Sequence, residues 1–137
     1  MIFVDTGAWT VYLDRKDQYH GDALKIHDDL GQQSIKLLTT DYVIDESATL
    51  IRYKANQSLA VEFLNHIEHH ERAGSLIVVK IDNTLFEEAK RIFRQYDSTV
   101  LSFTDCTSFA VCRKHKIDQV FAFDQHFAMM GLTLIKP

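Results

Sequence analysis

The chain has 137 residues, 46% of them hydrophobic and 25% charged, a balance that fits one folded domain over residues 1–137 and excludes a disordered segment. Its net charge of −4 argues against a protein that coats nucleic acid through bulk positive charge. No apolar run approaches the roughly 20 residues of a membrane span, no basic leader precedes Met1-Ile2-Phe3-Val4, and two cysteines, Cys106 and Cys112, cannot build a disulfide framework, so a cytoplasmic protein with reduced thiols is expected.

Five short, near-continuous apolar runs follow in chain order: Ile2-Phe3-Val4, Ile35 to Thr39, Leu76 to Val79, Gln119 to Phe123 and Leu132 to Ile135. Strands buried on both faces of a parallel sheet have this pattern. Between them lie helical spacings: Ala23, Ile26 and Leu30; Leu59, Phe63 and Ile67; Leu85, Ala89, Ile92 and Tyr96. Gly31 and Gly74 are the expected stops of the first two. Alternating strands and helices predict a doubly wound α/β sandwich. In such folds the ligand crevice lies beyond the carboxyl ends of the strands, so acids placed there matter.

Asp5 follows the first strand and Asp124 the fourth, and each has a bland explanation as an N-cap. Glu46 is harder to explain that way. In a helix capped by Thr40 or Asp41 it shares a stripe with Val43 and Leu50, while Asp41, Asp45 and Arg52 occupy a polar stripe. An inward carboxylate needs a partner, either a cation or a buried Arg or Lys. Asp105 with Ser102 fits a capping box. If the first and fourth strands are neighbours, all four acids converge on one crevice. Two carboxylates about 4 Å apart repel by roughly 4 kcal/mol at an effective dielectric of 20, so four need a countercharge. A hard cation such as Mg²⁺ or Mn²⁺ supplies it.

Four stretches carry a resemblance over the whole chain: Phe3-Val4-Asp5-Thr6-Gly7-Ala8-Trp9, Leu38 to Glu46, Leu101 to Ala110, and Ala122-Phe123-Asp124-Gln125-His126-Phe127. In order and spacing the chain resembles the PIN-domain family, and within it the VapC-type toxins of toxin–antitoxin pairs. The resemblance implies a three-layer sandwich with a five-stranded parallel sheet ordered 3-2-1-4-5. It also implies a metal-binding acidic site of Asp5, Glu46, Asp105 and Asp124, with Thr6 as a helper that orders a water or the Asp5 carboxylate. The implied activity is Mg²⁺- or Mn²⁺-dependent hydrolysis of RNA, with a small antitoxin and a second copy of the chain as partners. A housekeeping RNA-processing nuclease and a PIN-fold binding module are the alternatives. Asp97, in the loop before Ser102, stays outside the core site.

Other signals compete. His66 and His70 have the i, i+4 spacing of a zinc grip, but His66, His69 and His70 are expected on a solvated face because Leu59, Phe63 and Ile67 already supply the apolar stripe. Trp9 and Tyr12 are expected in the core, and Cys106 and Cys112 as small packed hydrophobes. Lys90, Arg91 and Arg94, and Arg113, Lys114 and Lys116, either hold RNA phosphates or solvate helices. No G-x-G-x-x-G follows the first strand and no G-x-x-x-x-G-K-[ST] occurs, which excludes the common nucleotide-binding loops.

Overall fold

The structure, a computed structural model, describes residues 1–97 and 100–135. In chain order the elements are β1 (Ile2–Val4), α1 (Thr6–Leu13), α2 (His20–Gln32), β2 (Leu37–Thr40), α3 (Asp41–Lys54), α4 (Gln57–Arg72), β3 (Leu76–Val79), α5 (Asn83–Gln95), α6 (Phe103–Lys114), β4 (Gln119–Phe121), α7 (His126–Met129) and β5 (Thr133–Ile135). The strands form one sheet in the order β3-β2-β1-β4-β5, and every pairing is parallel. This is the expected sheet order. The pattern of burial explains why the strand signal was apolar throughout: β1 and β2 are buried at every position, whereas β5, at an edge, is only half-covered.

Helix ends and strand ends depart from expectation in a consistent way. β2 starts at Leu37, not Ile35, and β4 stops at Phe121, not Phe123. Gly31 does not stop α2, which runs on to Gln32. The chain reverses instead at Ser34, a non-glycine residue at φ 55°, with the Ile35 N–H on the Leu30 carbonyl and the Ser34 N–H on the Gly31 carbonyl. That bond pair is a Schellman motif. α4 ends with the same pair, Ser75 to His70 and Gly74 to Glu71, and there Gly74 takes the left-handed position as expected, at φ 80°. α6 repeats it with Lys116 at φ 55°, where Ile117 bonds Cys112 and Lys116 bonds Arg113. α7 ends the same way, with Leu132 bonded to Phe127, Gly131 bonded to Ala128 and Gly131 at φ 82°, so one turn chemistry closes four helices and glycine marks two of them.

The core joins α1 to the sheet through Trp9, 2% exposed, which packs on Phe63 of α4. Its indole N–H donates to Thr39 Oγ1 at 3.4 Å, and that hydroxyl donates to the Val4 carbonyl at 3.0 Å. Thr39 thus locks the carboxyl end of β1 to β2 and to α1. Thr39→Val keeps the shape but leaves a buried donor and a buried acceptor without this partner, each costing about 1–3 kcal/mol. A lower urea midpoint at unchanged m-value is the expected result.

Candidate active site

Asp5 stands where β1 ends, and its backbone N–H donates to the carbonyl of Phe121, the last residue of β4, at 3.1 Å. The first acid is therefore pinned to the carboxyl ends of the two adjacent strands. It occupies the N-cap position of α1, yet its side chain makes no capping hydrogen bond. Asp5 is 3% exposed, and both its Oδ1 and the neighbouring Thr6 Oγ1 are buried oxygens without a hydrogen-bond partner. The cap explanation accounts for the position of Asp5 but not for its unsatisfied carboxylate.

Asp105 does cap. Ser102 Oγ accepts the Asp105 N–H at 3.0 Å and Asp105 Oδ2 accepts the Ser102 N–H at 3.1 Å, completing the predicted box. The box fixes the side chain, which is buried and faces the same cleft as Asp5. Glu46 comes from α3, which starts when Thr40 Oγ1 accepts the Val43 N–H. Val43 is buried, Glu46 half-buried and Asp45 exposed, as the stripe argument required. Among the described residues no Arg or Lys forms an ion pair with Glu46. Asp124 corrects its cap assignment, because Gln125 is the residue that precedes α7. Its side chain is exposed and lies 3.7 Å from His126 Nε2.

All four acids and Thr6 line one open cleft of about 390 Å³. Its walls are Thr6, Gly7 and Thr10 of α1; Glu46, Leu50 and Lys54 of α3; Val100, Ser102 and Asp105; and Asp124 with His126. Burial pushes the Asp5 carboxyl up to about 7; Asp105, then Glu46 and Asp124, push it the same way, and the nearby Thr6 N–H opposes without capping it. Asp105 is also raised, mainly by burial, with its Ser102 hydrogen bond the leading opposition. His126 and Lys54 were not predicted in the site. The clue for Lys54 was its place eight residues after Glu46, and for His126 its place two after Asp124.

The donor set suits a hard cation. Asp5 Oδ1 and Thr6 Oγ1 are buried oxygens that lack a hydrogen-bond partner, and among the described lining residues one lysine, Lys54, stands against four acids. Among the described residues no three His, Cys, Asp or Glu side chains stand close enough together to hold a metal ion by themselves. An ion that keeps most of its waters and touches only one or two carboxylates needs no such cluster.

The competing signals resolve away from this cleft. A larger hollow of about 910 Å³ lies between α5 and α6, by Arg91, Arg113 and Lys114. Its arginines are engaged: Arg91 lies 2.6 Å and Arg113 3.7 Å from Glu88. Lys90 pairs with Glu87 at 2.8 Å. Asp97 is exposed and does not line the cleft. Both cysteines are buried, and burial raises their thiols to about 11 for Cys106 and about 12 for Cys112, so they are not poised nucleophiles. The histidines correct expectation: only His69 is exposed, while His66 and His70 turn toward His27 of α2 and, for His66, Tyr12 and Trp9 of α1.

A parallel sheet in this order, with acids gathered at the carboxyl ends of its central strands, is the arrangement of a PIN domain. The PIN domain family model matches residues 2–131, and the chain belongs to that family. It is 30% identical to the 23S rRNA-specific endonuclease VapC20 of Mycobacterium tuberculosis, from both strain CDC 1551 and strain H37Rv, over 100% of this chain and 99% of that protein. The crystal structure of Mycobacterium tuberculosis VapC20, described as a sarcin–ricin loop cleaving toxin, is similar with a TM-score of 0.84 and 29% identity, each chain being covered in full.

Proposed function

We propose that this protein is a metal-dependent endoribonuclease, a single PIN domain over residues 1–137 that acts as the toxin of a toxin–antitoxin pair. The observation that carries the reading is the buried Asp5 carboxylate, unpartnered at Oδ1 and held between β1 and β4 in a cleft with three further acids. Asp5, Glu46, Asp105 and Asp124 would hold one or two Mg²⁺ or Mn²⁺ ions, directly or through water. When bound, the ion supplies a water of lowered pKa and positive charge beside the phosphate oxygens. The Ser102 box keeps the Asp105 carboxylate aimed into the cleft, and Thr6 Oγ1 orders a water or the Asp5 carboxylate beside it. The cleft is open to a strand, and the products would carry 5′-phosphate and 3′-hydroxyl ends. A cytoplasmic location, a small antitoxin that blocks the cleft and a homodimer belong to the same proposal. No helix among the described residues is long and apolar enough to cross a membrane.

The test uses an RNA hairpin of the 23S sarcin–ricin loop, chosen because VapC20 is described as acting there. Cleavage with Mg²⁺ or Mn²⁺ is expected, and none with excess EDTA. Asp105→Asn keeps an acceptor for the Ser102 N–H but loses the charge. It should fold normally and cut at least about a hundredfold more slowly, the scale of losing a preorganised electrostatic group. Equal cutting by variant and parent, or cutting that ignores EDTA, would refute the site.

A further inference from the structure

We infer that Lys54 is a substrate-binding residue whose ammonium takes an RNA phosphate displaced along α3 from the one that is cut. This rests on the ribonuclease reading of the acidic cleft. Among the described residues Lys54 is the single Lys or Arg that lines the cleft, beside four carboxylates. Glu46, Leu50 and Lys54 line the cleft at i, i+4 and i+8 of one helix. At a rise of 1.5 Å per residue, about 12 Å of helix separates the acid from the ammonium-bearing position. Lys54 therefore stands about two turns further along α3 than Glu46. Among the described residues no hydrogen bond or ion pair holds it, although Arg15, Arg72, Lys90, Arg91 and Arg113 each pair with a glutamate.

A bland account exists, since a cation in the last turn of α3 favours the helix dipole. Arg52 shares that last turn and faces a different hollow, beside Tyr53 and Leu64. The dipole account gives no reason for the other cation to project into the acidic cleft. A polyanion gives one. A strand laid along a cleft of carboxylates is repelled except where a cation meets it, and at the α3 end Lys54 is that cation. Leu50, between them, offers an apolar contact for a sugar or base.

The experiment measures binding, in the Asp5→Asn background, of a fluorescently labelled sarcin–ricin loop RNA, with Kd followed against salt concentration and the RNA checked on a gel for intactness. Lys54→Gln should weaken binding about five- to tenfold at low salt and reduce the slope of log Kd against log salt by about 0.7–0.9, the value of one lost phosphate contact. Lys54→Arg should keep the parent slope. Lys25→Gln, on α2 and outside the cleft, should also leave it unchanged. An unchanged slope in Lys54→Gln, or the same loss in Lys25→Gln, overturns the assignment. Failure of the parent to bind RNA at any salt overturns both this inference and the ribonuclease reading, whereas an unchanged slope in a protein that binds overturns Lys54 alone.

Discussion

Replacing Asp5 by asparagine is expected to abolish RNA cleavage and, in the same protein freed of divalent cations, to raise the melting temperature. The two effects have one cause. Asp5 is 3% exposed and its carboxyl is raised from 3.8 to about 7, by burial first and by Asp105 next. A raised folded-state pKa means that folding favours the protonated acid, so at pH 8 the folded protein must tolerate a charge that the unfolded chain carries freely. Each pKa unit is worth about 1.4 kcal/mol, so the burden is a few kcal/mol at most. Asparagine removes the charge and keeps the shape, and several degrees of stabilisation should follow at pH 8. Mg²⁺ or Mn²⁺ should then narrow the gap, because a ligand that binds only the folded parent stabilises only the parent. The opposing account, in which Asp5 is merely a helix cap, predicts neither change, since asparagine caps as well as aspartate. An Asp5→Asn variant that melts lower than the parent, or cuts RNA at the parent rate, contradicts the site. Calorimetric melting with and without metal, beside a cleavage time course, decides between them.

The sheet was readable because burial on both faces writes itself into composition: β1 and β2 admit only apolar residues and small hydroxyls such as Thr39 and Thr40. Helix ends were less readable. A left-handed residue closes α2, α4, α6 and α7 alike, yet Ser34 and Lys116 fill that position in two of them, so of the two expected glycine stops, Gly31 and Gly74, only Gly74 holds. For the site, the inward stripe of α3 and the capping box of α6 were visible as spacings, and both hold. Convergence itself was not a local property. It depends on β1 pairing with β4, a contact between segments more than a hundred residues apart, and sequence reading reached it through family resemblance. His66 and His70 went astray for a related reason. Their helix presents one apolar stripe to the sheet, but α1 and α2 pack beside it and cover part of the face that looked free.

That second face predicts acid lability. His27, His66 and His70 lie with ring centroids 4.3 to 5.8 Å apart, and Tyr12 stacks on His27 at 4.5 Å. The His66 Nε2 is buried without a partner. His70 Nδ1 meets Ser75 Oγ at 2.9 Å while that hydroxyl donates to the His70 carbonyl, so the His70 ring carries its proton on Nδ1. Burial, followed by repulsion from His70, His27 and His69, lowers His66 from 6.5 to about 4; burial also leads the downward shifts of His27 and His70. Asp28, which faces His27 and Tyr12, and Glu62, which faces Tyr12, are the acids of the group. A depressed histidine is neutral in the folded chain while the unfolded chain takes up protons. Stability is therefore complete above about pH 6.5 and falls as pH drops from there toward 4. Asp5 titrates with the opposite sign over an overlapping range, so the informative quantity is the difference between the parent and His66→Phe. Phenylalanine keeps the ring against Trp9 and Tyr12 and cannot be protonated. Urea midpoints at pH 7.5, 6.5, 5.5 and 5.0 should diverge progressively, with the variant retaining stability that the parent loses. Parallel curves would mean that His66 does not carry the acid lability, since His27 and His70 titrate in both proteins.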